Sequence, residues 1–265
     1  MIRFASAADF PTVRRLWETC FPDEGGFNAY FFAKFFSLSA VLLEEEQGEI
    51  CAMVQMLPYR LRLADGEGEV TYIYGACTDP QHRRRGHMAR LLERSFALDR
   101  EHGRVASMLI PAEAWLFDFY KPFGYDPFFT VDKHIVRRTV GGEGPRRLTA
   151  DDLPEAAALY ERLTPPCHVL RDAADWRAQL ALFDEIGAGA YGWFAGETLA
   201  AYAFCWQDGA QEALGLTETQ EQGLLQTLGL EELRYSTCGG ETALGCIKWH
   251  GAAAAQSGYM NLMLN

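Results

Sequence analysis

Apolar positions recur along this chain with two periods, and the switches between them outline its elements. Val13, Leu16, Trp17 and Cys20 follow the i, i+3, i+4, i+7 spacing of one buried helix face, behind a Ser6 able to cap it. Met88, Leu91, Leu92 and Phe96 form a second stripe of that kind, opened by Gly86. Between the stripes lie short apolar runs bounded by Gly, Asp and Pro, which read as strands. The pattern predicts a strand over 2–5, helices over 7–20 and 26–36, and a strand hairpin over 39–61. A strand over 69–78, a helix over 86–102, a strand over 105–110, a helix over 112–119 and strands over 127–138 follow. Strands and helices mixed in this order imply an α/β sheet with helices on both faces.

The pattern then repeats. Gly141-Gly142-Glu143-Gly144-Pro145 breaks both helix and strand and reads as a linker. Ser6-Ala7-Ala8-Asp9-Phe10-Pro11 is matched 143 residues later by Thr149-Ala150-Asp151-Asp152-Leu153-Pro154. The same shift carries Val13, Leu16, Trp17 and Cys20 onto Ala156, Leu159, Tyr160 and Leu163. Gly48-Glu49-Ile50-Cys51-Ala52 likewise matches Gly196-Glu197-Thr198-Leu199-Ala200, each a tight turn between apolar strands. Two domains are expected, 1–140 and 146–265, the second a copy of the first.

Composition narrows the partners. Of 265 residues 49% are hydrophobic, and the formal charge is −12, which argues against nucleic acid and favours a cationic partner such as an amine. No apolar run approaches the roughly 20 residues that span a bilayer. Met1–Ser6 lacks the apolar core of a secretory signal. Seven scattered cysteines without a CxxC pair argue against a disulfide framework and against a zinc site. Reduced core thiols, no metal and a cytoplasmic setting are the expectation. Assembly into a homo-oligomer is left open by these features.

The densest chemistry lies in Ala76-Cys77-Thr78-Asp79-Pro80-Gln81-His82-Arg83-Arg84-Arg85-Gly86-His87-Met88-Ala89. An apolar strand enters an arginine-rich turn, and a glycine then opens an amphipathic helix. That order aims backbone N–H groups, the positive end of a helix and guanidiniums at one place, which suits a phosphate. The Gly-Lys-Ser/Thr signature of P-loop NTPases is absent, and no GxGxxG follows the first strand. His82 and His87, flanking the arginines, are expected to contact phosphate or solvent.

Arg83-Arg84-Arg85-Gly86-His87-Met88 resembles the Arg/Gln-x-x-Gly-x-Gly/Ala signature of the GNAT superfamily of N-acetyltransferases, with Met88 in place of the small residue and Ala89 directly after. With Ala112-Glu113 and Tyr120-Lys121-Pro122-Phe123-Gly124-Tyr125 downstream, the chain looks most like the Eis-type acetyltransferases, which carry two consecutive acetyltransferase-like regions. The resemblance implies a mixed central sheet, acetyl-CoA as acyl donor, and a primary amine of a small molecule or peptide as acceptor. It implies that the main chain of Ala76, Cys77 and Thr78 pairs with pantetheine, and that amides from Arg84, Arg85, Gly86, His87, Met88 and Ala89 hold the pyrophosphate. Ala112 and Glu113 would lie along the pantetheine arm. Tyr120 would stand beside the thioester sulfur, where a phenol, protonated at neutral pH, can serve as proton donor. For the base that deprotonates the amine, the resemblance implies the terminal carboxylate, here on Asn265, with Glu113 as the alternative.

In the second half the Gln-x-x-Gly skeleton recurs at Gln220-Glu221-Gln222-Gly223, yet no Lys or Arg lies between Arg177 and Arg234. A degenerate copy that shapes the substrate cleft is expected, since a diphosphate there lacks cations. Cys167-His168 beside Pro165-Pro166 reads as a turn rather than a nucleophile–base pair. Two rival functions remain: a CoA-binding sensor without turnover, and a FemX-like aminoacyl transferase.

Overall fold

In the computed structural model, which describes residues 1–23, 25–139 and 141–263, each half of the chain begins with the same clamp. Ser6 donates from its backbone N–H and its Oγ to Asp9 Oδ2, both at 2.7 Å, and Arg3 grips Asp9 with both Nη atoms at 2.7 and 2.9 Å. Thr149 donates in the same two ways to Asp152 Oδ2, and Arg146 grips that carboxylate at 2.9 and 2.6 Å. Each clamp satisfies the backbone N–H of the residue that precedes a helix start. The shift of 143 residues therefore holds at the level of single atoms.

The first unit comprises Met1–Leu61, Asp65–Pro127 and Gly245–Ala254. Its elements are β1 (Ile2–Phe4), α1 (Phe10–Cys20), α2 (Phe27–Lys34), β2 (Val41–Glu46), β3 (Glu49–Leu63), β4 (Gly66–Thr78), α3 (His87–Glu101), β5 (Ala106–Leu109) and α4 (Trp115–Tyr120). The strands stand in the order β1-β2-β3-β4-β5. β1 runs antiparallel to β2, and β4 runs parallel to β5. Gln47 and Gly48, both at positive φ, make the tight turn between β2 and β3. Ile73 of β4 packs with Leu91, Leu92 and Phe96 of α3, while its neighbour Tyr74 meets Trp17 of α1. The alternation of a strand thus buries one sheet face under α3 and the other under α1.

The second unit comprises Arg62–Ala64, Phe128–Leu244 and the chain from Ala255 onward. It holds most of β6 (Asp126–Arg137), then β7 (Arg146–Arg147), α5 (Leu153–Leu163), β8 (His168–Val169), α6 (Ala173–Glu185), β9 (Gly189–Ala195), β10 (Thr198–Trp206), β11 (Gly209–Leu214), α7 (Glu218–Leu228) and β12 (Glu232–Trp249). β7 runs antiparallel to β9, β9 to β10 and β10 to β11, whereas β11 and β12 are parallel across the α7 crossover. The order strand, two helices, three strands, crossover helix and strand is that of the first unit. In its core Arg171 meets Glu212 through two bonds of 2.7 Å, and the hydroxyls of Tyr202 and Tyr259 donate to the same carboxylate. A buried ion pair persists when its remaining lone pairs are satisfied in this way.

The expected boundaries, 1–140 and 146–265, are drawn differently by the structure. Phe128–Leu244 belongs to the second unit, where β6 pairs with β12. β12 is 18 residues long, and its last part returns to the first unit, where Cys246, Ile247, Lys248 and Trp249 pair antiparallel with β5. The segment Tyr259–Met263, which looks strand-like in sequence, bridges only at Tyr259 and is otherwise irregular and buried. No helix among the described residues is long and apolar enough to cross a membrane.

Candidate active site

The site is built on the far end of β4. Register with β5 runs from Val70↔Ala106 to Tyr72↔Met108, and β4 then continues to Thr78 without a β5 partner. Gly75 interrupts it at φ +57°, and both Ile73 and Ala76 border the α3-side core although they stand three apart. The alternation therefore slips by one residue, as it does at a bulge. A side chain at Gly75 would meet the Trp17 ring, its Cβ lying 2.1 Å from Cζ3. The bulge turns Tyr74, Gly75 and Ala76 into a half-buried stretch beside the gap between β4 and β5.

Beyond Thr78 the chain tightens into a loop. Asp79 Oδ1 accepts from the Gln81 amide at 2.9 Å, and Arg83 Nε donates to the Thr78 carbonyl at 3.3 Å. Arg84 (φ +65°) and Gly86 (φ +79°) are both left-handed, a curl that makes successive amides converge in an anion-binding nest. Among the described residues, nothing accepts a hydrogen bond from the amides of Arg84, Arg85, Gly86, His87, Met88 or Ala89. The side chains of Arg83, Arg84 and Arg85 are exposed and form no ion pair with a described carboxylate. Free amides, a helix start and guanidiniums without a carboxylate partner thus meet at the loop expected from the sequence to suit a phosphate.

Tyr120, the last residue of α4, lies in the core under α3, with Ala76 and Met88 packed against the same cluster. Burial pushes its phenol up to about 12, with smaller contributions from Cys246 and Cys77. Tyr125 stands 5.8 Å away, ring to ring, and its hydroxyl pairs with Ser107 Oγ at 2.6 Å. The Tyr120 hydroxyl has no protein partner among the described residues and is not sealed from solvent. Of the two phenols in this motif, Tyr120 is the available donor.

Other expected residues are placed less centrally. Ala112 and Glu113 are exposed, and Glu113 Oε2 accepts from Trp115 Nε1 at 2.8 Å, so no contact joins it to Tyr120. Asn265 lies outside the described residues. Of the two flanking histidines, His87 is closed off from solvent, while His82 is partly exposed and lines an open cleft. His87 is 1% exposed, and His82 is half-buried against Cys51. Nor are all thiols sealed in cores. Cys20 is half-buried at the end of α1, its thiol lowered to about 7 by a hydrogen bond to Cys77 and by Arg83. A cleft of about 620 Å³ opens between α1, the β2–β3 turn and the Asp79–His82 turn, but Tyr120 does not line it.

Gly75 and Cys20 carry no motif, and composition alone does not find them. The available signal for Gly75 is a glycine inside a strand pattern, which marks a bulge or a close approach.

Known proteins share this fold. Residues 1–128 match the family model described as an acetyltransferase (GNAT) domain. No curated protein matches the chain. Among solved structures, a conserved Enterococcus faecalis V583 protein described as a probable N-acyltransferase is similar at 13% identity, covering 94% of this chain and 72% of its own, with a TM-score of 0.72. Eis1 from Mycobacterium abscessus is similar at 15% identity, covering 94% and 73%, with a TM-score of 0.63. A GCN5-related N-acetyltransferase from Anabaena variabilis is similar at 12% identity, covering 93% and 72%, with a TM-score of 0.70. The superpositions extend over both halves, and at these identities they speak for the fold. Residues 1–128 thus match an acetyltransferase (GNAT) domain, and the chain shares its fold with the solved structures named here.

Proposed function

We propose that this protein is an acetyl-CoA-dependent N-acetyltransferase acting on a primary amine of a small molecule or peptide. One observation carries the reading. The unpaired end of β4, the free amides of Arg84–Ala89 and the unbonded hydroxyl of Tyr120 border one region of the first unit. Acetyl-CoA, when bound, supplies the thioester whose carbonyl the amine attacks and whose thiol departs. Arg83, Arg84 and Arg85 would neutralise its diphosphate while the loop amides hydrogen-bond it. The main chain of Ala76–Thr78 offers the edge along which the pantetheine amides can pair, as in strand addition.

Tyr120 acts on the leaving group. Complete transfer from a phenol near 12 to an alkyl thiolate near 8.5 runs uphill by about 3.5 units, about 5 kcal/mol. Its task is therefore to donate a hydrogen bond to the sulfur as negative charge builds, and the net proton comes from the ammonium. The acidic surface of a chain with formal charge −12 supports a cationic acceptor. The seven unpaired cysteines support a reducing, cytoplasmic setting.

Thiol release from acetyl-CoA across a panel of amines tests the reading. Tyr120→Phe should lower kcat by about 100-fold and leave the KM for acetyl-CoA unchanged. Thermal protection by acetyl-CoA without thiol release for any amine would make the protein a sensor instead.

A further inference from the structure

The two histidines that bracket the phosphate loop converge on its inner side. Cys51 Sγ of β3 lies 3.3 Å from His82 Nδ1, and His87 Nε2 lies 3.9 Å from Glu46 Oε2 at the end of β2. One donor atom from each of these four residues falls within 4.8 Å of the others. In a zinc tetrahedron with bonds of about 2.0–2.3 Å, donor atoms stand about 3.3–3.6 Å apart. Cys51 Sγ and His82 Nδ1 already stand at that separation, and Glu46, the exposed member, is free of core packing and can approach.

A second observation points to a ligand. His87 is 1% exposed, and its Nε2 has no hydrogen-bond partner; neither does the buried Glu44 Oε2. His87 Nδ1 faces Glu44 Oε2 at 3.2 Å and Arg90 Nη2 at 2.9 Å. Arg90 Nη2 can only donate, so Nδ1 accepts from it and the neutral ring carries its hydrogen on an unpartnered Nε2. Ligation through Nε2 moves that hydrogen to Nδ1, 3.2 Å from the unpartnered Glu44 Oε2. Arg90 meanwhile stays anchored to Glu44 Oε1 and the Arg85 carbonyl. A carboxylate behind an imidazole whose other nitrogen is free is the outer arrangement of a metal-bound histidine.

We propose that Glu46, Cys51, His82 and His87 form a zinc site that ties the phosphate loop to β2 and β3. One thiolate, two imidazoles and one carboxylate suit Zn²⁺, whereas Ca²⁺ and Mg²⁺ require oxygen donors. On binding, the Cys51 S–H bond breaks, an S–Zn bond forms and the proton leaves to solvent, with no oxidant or reductant involved. The ligands come from three separated segments without a CxxC pair, so cysteine spacing does not reveal them.

The test uses the full chain, stripped with a chelator and kept free of CoA, so that it is independent of the acetyl-transfer reading. Titration with Co²⁺ should reach one equivalent, with a sulfur-to-cobalt charge-transfer band and the ligand-field bands of a tetrahedral ion. Zn²⁺ should displace it and raise the melting temperature. Cys51→Ser should remove the charge-transfer band. His82→Ala, at a half-buried position that tolerates truncation, should weaken Zn²⁺ binding by about 100-fold and abolish the thermal gain. Wild-type protein that takes up Co²⁺ without the sulfur band, or binds Zn²⁺ as tightly after His82→Ala, would overturn the proposal.

Discussion

At the start of α3, among the described residues, the amides of Arg84–Ala89 have no hydrogen-bond acceptor, three guanidiniums have no carboxylate partner, and Gly86 at φ +79° opens the helix. At the start of α7, the corresponding crossover helix of the second unit, each of these features is reversed. Thr217 caps the helix, its Oγ1 accepting from Gln220 N at 3.4 Å while its own amide donates to Gln220 Oε1 at 3.0 Å. Glu218 and Glu221 occupy the first turn. The linker lies across the helix: Glu143 N donates to the Thr219 carbonyl at 2.9 Å, and Trp193 Nε1 donates to the Glu143 carbonyl at 2.7 Å. Gly142 and Gly223 meet with no room for a side chain on either. One topology thus yields an open anion site in one unit and, in the other, a helix start covered by the chain's own backbone and flanked by carboxylates. The difference lies in a few residues that decide charge and access, not in the order of elements.

Substituting the two glycines that set these local shapes breaks the comparison most directly. Gly75→Ala places a Cβ 2.1 Å from the Trp17 ring at a left-handed residue, and should cost about 3 kcal/mol in urea unfolding. Gly223→Ala puts a Cβ 1.9 Å from the Glu143 carbonyl oxygen. Helix propensity alone would make this change stabilising by about 1 kcal/mol. The expected outcome is a loss of about 1 kcal/mol, because the linker must lift. A net gain would show that the linker does not rest on α7.

Much of this was legible in the chain. The stripe from Met88 to Phe96 and the glycine before it mark α3, and the Ser/Thr–Asp–Pro repeat marks both helix starts, because capping and helical periodicity act within a few residues. Tyr120 could be found by its spacing to Gly124. That its hydroxyl is unbonded while that of Tyr125 is paired depends on Ser107, on a different strand. The return of β12 to β5 was hidden because strand pairing between distant segments leaves no local signature. Gln220–Gly223 looks like a loop by motif, yet Thr217 caps a helix that runs through it. The burial of His87 against Glu44 depends on β2, far off in sequence, and the positive φ at Arg84 is one that sequence alone gives no reason to place there.

The smallest effect sharpens the likeness of the halves rather than their difference. Arg3 holds the Asp9 carboxyl well below the usual carboxylate range, and Arg146 holds Asp152 down to about 2; the bonds from Ser6 and Thr149 add to each. Since an unfolded aspartate titrates near about 3.9, protonation favours the unfolded chain. Each clamp's contribution is full above about pH 4 and is lost as the pH falls toward 2. Both lie near the surface, so solvent screening keeps each below about 1 kcal/mol. Asp9→Asn and Asp152→Asn should lower stability at neutral pH by similar small amounts and flatten the acid limb of the stability profile. Clearly unequal losses would mean that the repeated geometry is not energetically equivalent.

Calorimetric titration of CoA into the full chain tests the central claim that only the α3 start grips the cofactor's phosphates. The account predicts one equivalent per chain, with affinity lowered by about 100-fold in the Arg84→Ala/Arg85→Ala double variant. Two equivalents, or an affinity untouched by that pair of substitutions, would contradict it.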